Sequence, residues 1–220
     1  MKKLKLIGPA LIALLAFAAC QNKVKETKLP IYGERQPITK TVDGKTFTDT
    51  VYATIPPFSF VDQNRETISE ENLRGKTYVA DFFFTSCPSI CPTMQRNMLS
   101  VAKAYQGKPN FKLVSFTIDP RHDTIPVLKN YAEKLGAKAD QWYFLLGKKE
   151  DVYQLAEKNY LVSVAEDKRA KGGYVHQGWL VLVDKKGRVR GAYDGTDKKQ
   201  VDQLIVDVKL LMDEDENQKA

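Results

Sequence analysis

The segment Tyr78 to Phe84 (YVADFFF) is short, aromatic and apolar, and it follows the turn-like Arg74-Gly75-Lys76. A run of this kind is expected of a strand buried on both faces, at the centre of a layered domain. It leads straight into Cys87-Pro88-Ser89-Ile90-Cys91-Pro92. Two sulfurs four residues apart are thereby placed where a central strand hands over to a helix.

The rest of the chain repeats the alternation. Met94 to Tyr105 reads as a helix, Lys112 to Ile118 as a second strand, and Thr124 to Leu135 as a second helix closed by Gly136. Trp142 to Leu146 is a third strand and Lys149 to Asn159 a third helix. Gly178 to Val183 and Arg188 to Tyr193, joined by Asp184-Lys185-Lys186-Gly187, read as a hairpin. Asp197 to Met212 is a final helix with Asp197 near its cap. The series is compatible with an α/β, thioredoxin-like fold, a central mixed sheet flanked by helices on both faces. Pattern alone leaves the strand order open.

The N-terminus has the layout of an export signal. Lys2, Lys3 and Lys5 precede the almost wholly apolar stretch Leu6 to Ala19, and Ala18-Ala19-Cys20 closes it with small residues. The stretch contains Gly8 and Pro9 and falls short of the about 20 apolar residues of a spanning helix. Cys20 after small residues resembles a bacterial lipoprotein signal, in which that cysteine is lipidated; an ordinary secretory signal is the alternative. Either way the folded part is expected outside the cytoplasm, where thiols can be oxidised. The chain is accordingly divided into a signal (1–19), a lipid-anchored polar tether (20–50), the domain (51–212) and an acidic polar tail (213–220).

The full sequence carries a formal net charge of +7. Loss of the signal leaves 31 basic against 27 acidic residues, a net +4. The lysines are dispersed and no basic stripe is interleaved with aromatics, so nucleic-acid binding has no support. A membrane contact through the N-terminal lipid is expected instead.

With Cys20 in the signal, Cys87 and Cys91 are the cysteines of the domain. Pro92 suits the first turn of a helix beginning beside Cys91. The unpaired amides and positive end of such a helix favour thiolate over thiol. A structural disulfide is the competing reading. A bridge closing so few residues removes little chain entropy, which weighs for a reactive site. His176, between Gly172-Gly173-Tyr174-Val175 and the hairpin, lies on a loop entering the sheet, where histidine is more often a surface residue than a ligand. His122, in Asp119-Pro120-Arg121-His122-Asp123-Thr124, reads as an exposed turn residue.

Phe82 to Met94 (FFFTSCPSICPTM) resembles the metal loop of the Sco family, also called SenC. Ile118 to Thr124 resembles that family's DPxxDT turn, and Val175-His176 before Trp179 to Asp184 resembles the segment that carries its ligand histidine. The resemblance runs from about Pro57 to Leu211. It implies one copper ion, Cu(I) or Cu(II), held by Cys87, Cys91 and His176, with Cys87 and Cys91 also a redox-active pair. It further implies a metallochaperone or thiol-disulfide role at the dinuclear copper site of cytochrome c oxidase, the partner being the copper-bearing subunit or another copper-accepting protein. Two other classes stay open. One is a general extracytoplasmic thiol-disulfide oxidoreductase or peroxidase-like enzyme without metal, for which Thr85 and Arg121 are loose candidates. The other is structural zinc completed by His122.

Overall fold

The computed structural model of the chain describes residues 28–217. In chain order the elements are β1 (Arg35–Val42), β2 (Lys45–Tyr52), β3 (Ser59–Val61), β4 (Thr67–Ser69), α1 (Glu70–Leu73), β5 (Thr77–Phe83), α2 (Cys91–Ala104), β6 (Phe111–Thr117), α3 (Ile125–Leu135), β7 (Trp142–Leu145), α4 (Lys149–Leu155), β8 (Val164–Glu166), β9 (Tyr174–His176), β10 (Trp179–Val183), β11 (Val189–Asp194) and α5 (Lys198–Asn217).

All seven residues of β5 are buried, as an apolar run without alternation requires of a strand covered on both faces. The strand is central in the order β11-β10-β5-β6-β7. β5, β6 and β7 are parallel, while β10 pairs antiparallel with β5 and β11 with β10. The sheet is therefore mixed, as expected.

Side chains alternate across the sheet with a period of two, and each face of β5 meets different partners. On one face Asp81 accepts a hydrogen bond from Gln95 of α2, and Phe83 packs on Tyr131 of α3. The helix α5 lies alongside α2, where the Tyr105 hydroxyl donates to the Ile205 carbonyl. On the other face Phe82 stacks on Phe116 and meets the edge of Tyr160, whose hydroxyl lies 2.9 Å from that of Tyr78. Tyr160 ends a wider π turn (Ala156–Tyr160) that continues α4. Helices thus cover both faces, and the third predicted helix is α only over Lys149–Leu155.

Two expectations are corrected. Part of the stretch read as an irregular tether, 20–50, folds into the β1–β2 hairpin. Its turn is Asp43-Gly44, both residues at positive φ (52° and 72°), the geometry that suits a right-twisted two-residue connection. Alternation was present in Lys45 to Val51 (KTFTDTV), but threonines fill the second face, so the segment reads as polar. The acidic tail, taken to begin at 213, continues α5 to Asn217, and Glu214 is held by Arg190 at 3.1 Å. The signal at 1–19 and Cys20 lie outside the described residues. Among the described residues no helix is long and apolar enough to cross a membrane.

Candidate metal centre

Beyond β5 the chain turns at Phe84, whose carbonyl accepts from the Cys87 amide at 3.2 Å. Pro88 and Ser89 stand exposed, and α2 starts at Cys91 with Pro92 in its first turn. This is the predicted strand–helix junction. Both cysteines are free and buried, at 7% and 1% exposure.

His176 arrives from elsewhere. It ends β9, which pairs with β8 in a ribbon separate from the central sheet, rather than lying on an open loop. Phe84 holds this ribbon in place: its ring lies 5.1 Å from that of Tyr174 and meets the His176 imidazole edge-on at 5.9 Å. The preceding loop comes so close that a Cβ at Gly172 (φ +86°) would stand 2.9 Å from the Phe84 ring and 3.0 Å from Pro88. No side chain fits there.

The result is one cluster. Cys87 Sγ, Cys91 Sγ and an imidazole nitrogen of His176 lie within 4.8 Å of one another, the Cys91 sulfur 3.1 Å from Nε2. Nδ1 sits 3.3 Å from the Gln177 carbonyl, which can only accept, so Nδ1 carries a proton there and Nε2 is the nitrogen that faces the sulfurs. The two thiols push each other's pKa in opposite directions. Hydrogen bonding from Cys91, helped by His176 and the backbone amides of Ser89 and Cys91, holds Cys87 down to about 3 against the opposing effect of burial. The same bond and burial push Cys91 far up. The pair thus holds one thiolate, on the Cys87 side.

Beneath the cluster lies a polar network that the sequence reading missed. Asp81, fully buried, accepts from Gln95 Nε2 at 2.6 Å and Ser115 Oγ at 2.5 Å, and Trp142 Nε1 donates to Ser115 at 2.9 Å. Burial raises the Asp81 carboxyl to about 6, partly offset by the Ser115 hydroxyl, the nearby His176 and Gln95. Gln95 Oε1 is left buried without a partner. A protonated Asp81 could donate to it once the amide turned over. The signal was visible: a single acid inside the otherwise apolar YVADFFF.

Other candidates fall elsewhere. His122 is exposed and bonds Asp123 at 3.0 Å, which raises its pKa; it does not join the cluster. The Thr85 hydroxyl donates to Asp123 at 2.5 Å and Arg121 pairs with Glu166 at 2.6 Å, so both are engaged away from the cysteines. Asp123, wholly buried, also accepts from Thr117, which fastens the 119–124 turn to the sheet beside the cysteine loop.

A mixed sheet with a dithiol at the C-terminal end of its central strand, beginning a helix and facing one imidazole, defines a thioredoxin-like protein with a soft-donor site. The chain belongs to the SCO1/SenC family, whose sequence model matches residues 47–213. The SCO1 protein homolog of Bacillus subtilis is 30% identical over 168 residues, 76% of this chain and 86% of that protein. Among solved structures, a SCO1/SenC family lipoprotein from Bacillus anthracis is 30% identical, covers 72% of this chain and 95% of its own, and superposes with a TM-score of 0.67. BsSco, described as a member of the Sco family of cytochrome c oxidase assembly proteins and as having a disulfide switch, is 31% identical over 72% of this chain and 92% of its own, TM-score 0.64. Yeast Sco1 with copper bound is 26% identical over 71% and 89%, TM-score 0.57.

Proposed function

We propose that the chain binds one copper ion through Cys87, Cys91 and His176, and serves the dinuclear copper site of cytochrome c oxidase by delivering copper or by reducing the cysteines that will hold it. The observation that carries this is the convergence of two sulfurs and one imidazole nitrogen within 4.8 Å from two separate parts of the fold. Two thiolates and an imidazole are a soft, low-coordinate set suited to copper, the cargo in this reading. Copper-bound yeast Sco1 and the oxidase-assembly description of BsSco support it.

The depressed Cys87 supports the reductive half. Its thiolate would attack a partner disulfide, forming a mixed disulfide and releasing one partner thiolate. Cys91 would then lose its proton and attack the Cys87 sulfur, releasing the second thiolate. Two electrons pass to the partner and Cys87–Cys91 becomes a disulfide. That oxidation also removes both sulfur ligands, so the two roles exclude each other at any instant.

The wider reading is a folded domain exported and held to a bacterial membrane by lipid on Cys20, on the side away from the cytoplasm. The lipoprotein description of the Bacillus anthracis relative supports it.

The test is titration of the reduced, signal-free protein with Cu(I) and Cu(II), following stoichiometry and the thiolate-to-copper absorption band. One tight site per chain supports the proposal. Rapid turnover of disulfide substrates with no tight site would make the protein a metal-free thiol oxidoreductase.

A further inference from the structure

The register of the β1–β2 hairpin sorts its side chains by kind. Ile38, Val42, Phe47 and Val51 fall on one face with Gln36, Lys45 and the ion-paired Lys40 and Asp49, whereas the other face is largely threonine. Val42, Phe47 and Val51 are 54%, 46% and 49% exposed. A lone two-stranded hairpin is marginal in water, and an amphipathic one invites a cover for its apolar face.

The hairpin's position in the fold says what the cover is. The chain on either side of it is tied to the β10–β11 turn: Tyr32 donates to the Val189 carbonyl at 2.9 Å and Ile55 to that of Gly187 at 2.8 Å. That turn lies by the start of β5, since Val183 pairs with Tyr78, whereas Cys87 follows the strand's end. Six residue steps of strand put about 20 Å between the two poles. The chain enters at this same pole. Arg190, 5% exposed, donates to the carbonyls of Leu29 (2.7 Å) and Pro30 (2.9 Å) and pairs with Asp184 and Glu214. Cys20 is nine residues from Leu29, a reach of at most about 30 Å. Lys28, Arg35, Lys158 and Lys186 are exposed around this end, with Glu34 and Glu157 as their acidic neighbours, and the hairpin itself carries Lys40, Lys45, Asp43 and Asp49.

We propose that the hairpin rests its Ile38, Val42, Phe47 and Val51 face in the headgroup boundary of an anionic lipid bilayer, turning the Cys87–Cys91–His176 pole away from the membrane. Apolar side chains enter the boundary while the lysines around them meet anionic headgroups. The proposal rests on the reading that the N-terminus is held at a membrane.

The test separates the two. The chain from Cys20, carrying a histidine tag and tethered to vesicles of phosphatidylcholine and phosphatidylglycerol through a nickel-chelating lipid, is compared as Phe47→Trp and Thr48→Trp. With brominated lipid, the residue-47 variant should show a blue-shifted emission quenched about twofold; residue 48, on the opposite face, and the native Trp142 and Trp179 should not be quenched. Equal emission from both variants on tethered chains overturns the proposal, whatever anchors the native protein. A wild-type dimer in sedimentation that Phe47→Asp dissolves would also overturn it, by showing a second copy to be the cover. The anchor is read separately, from the mass of the native N-terminal peptide: an unmodified Cys20 ends the lipoprotein reading and leaves the hairpin result standing.

Discussion

Cys87 lies in the loop that leaves a strand whose every residue is buried, and Cys91 opens the fourteen-residue helix that follows. His176 stands on a three-residue strand of a two-stranded ribbon outside the main sheet. The packing that holds β5 and α2 together also positions the sulfurs, so their geometry costs nothing beyond folding. The imidazole depends on a few local contacts: the Phe84 and Tyr174 rings, the close approach at Gly172 and the Glu166 ion pairs with Arg121 and Lys149. A cluster built this way has two ligands at rest and one that can yield, which suits a site that must both hold copper and give it up.

The comparison breaks first at the sulfurs. Cys87→Ser or Cys91→Ser should weaken copper binding at least about a thousandfold, since a hydroxyl is a poor soft-metal ligand, and should remove the charge-transfer band. Competition titration against a chelator reads this. Retention of tight binding by either variant would mean that the strand–helix junction is not the metal loop.

Phe84→Ala tests whether the ribbon is seated on the core. Loss of this buried ring should cost about 3 kcal/mol in urea unfolding and should shift the copper spectrum toward that of a histidine-free site. An unchanged spectrum would show that the ribbon holds itself.

His176→Ala should weaken copper binding by less than either serine change, about ten- to a hundredfold, with little change in stability because the ring lies in the ribbon and not in the sheet. An effect equal to that of Cys91→Ser would remove the contrast between resting and yielding ligands.

Asp81→Asn sharpens the comparison from the core side. The Asp81 carboxyl is raised to about 6, so its contribution to stability is fully present below the usual carboxylate range and is lost as pH rises through 6. Above that pH a buried carboxylate is a burden, and the amide variant should be about 1–2 kcal/mol more stable at pH 8, with the gain shrinking toward pH 5. Equal gains at both pH values would show that Asp81 is not the group that titrates.

Glu166→Gln should have the smallest effect. Its ion pairs with Arg121 and Lys149 lie at the surface, so copper affinity should change less than about twofold and the change should fade with added salt. A larger effect at low salt would make this ion pair part of what seats His176.

The two halves of the site were unequally legible. The cysteines announce themselves through local order: an apolar strand, two sulfurs four residues apart and a proline suited to a first helical turn. His176 carries no such local signal. Its flanking glycines and valine read as an ordinary loop, and family resemblance alone singled it out. Asp81 stood out as a single acid in an apolar run, but that signal does not reveal that Gln95 and Ser115 will meet it. The hairpin was passed over because threonine counts as polar, although it suits a strand as well as valine does.

The amino-acid sequence by itself determined the alternation of strands and helices, the burial of β5 and the pairing of two cysteines at a helix start, because each depends on neighbours a few residues apart. Tertiary structure alone decided the strand order β11-β10-β5-β6-β7, the meeting of Cys91 with a histidine eighty-five residues later and the pole at which the chain enters. Those features depend on which distant surfaces pack together, and side-chain periodicity sets which face is buried without naming the surface that will cover it.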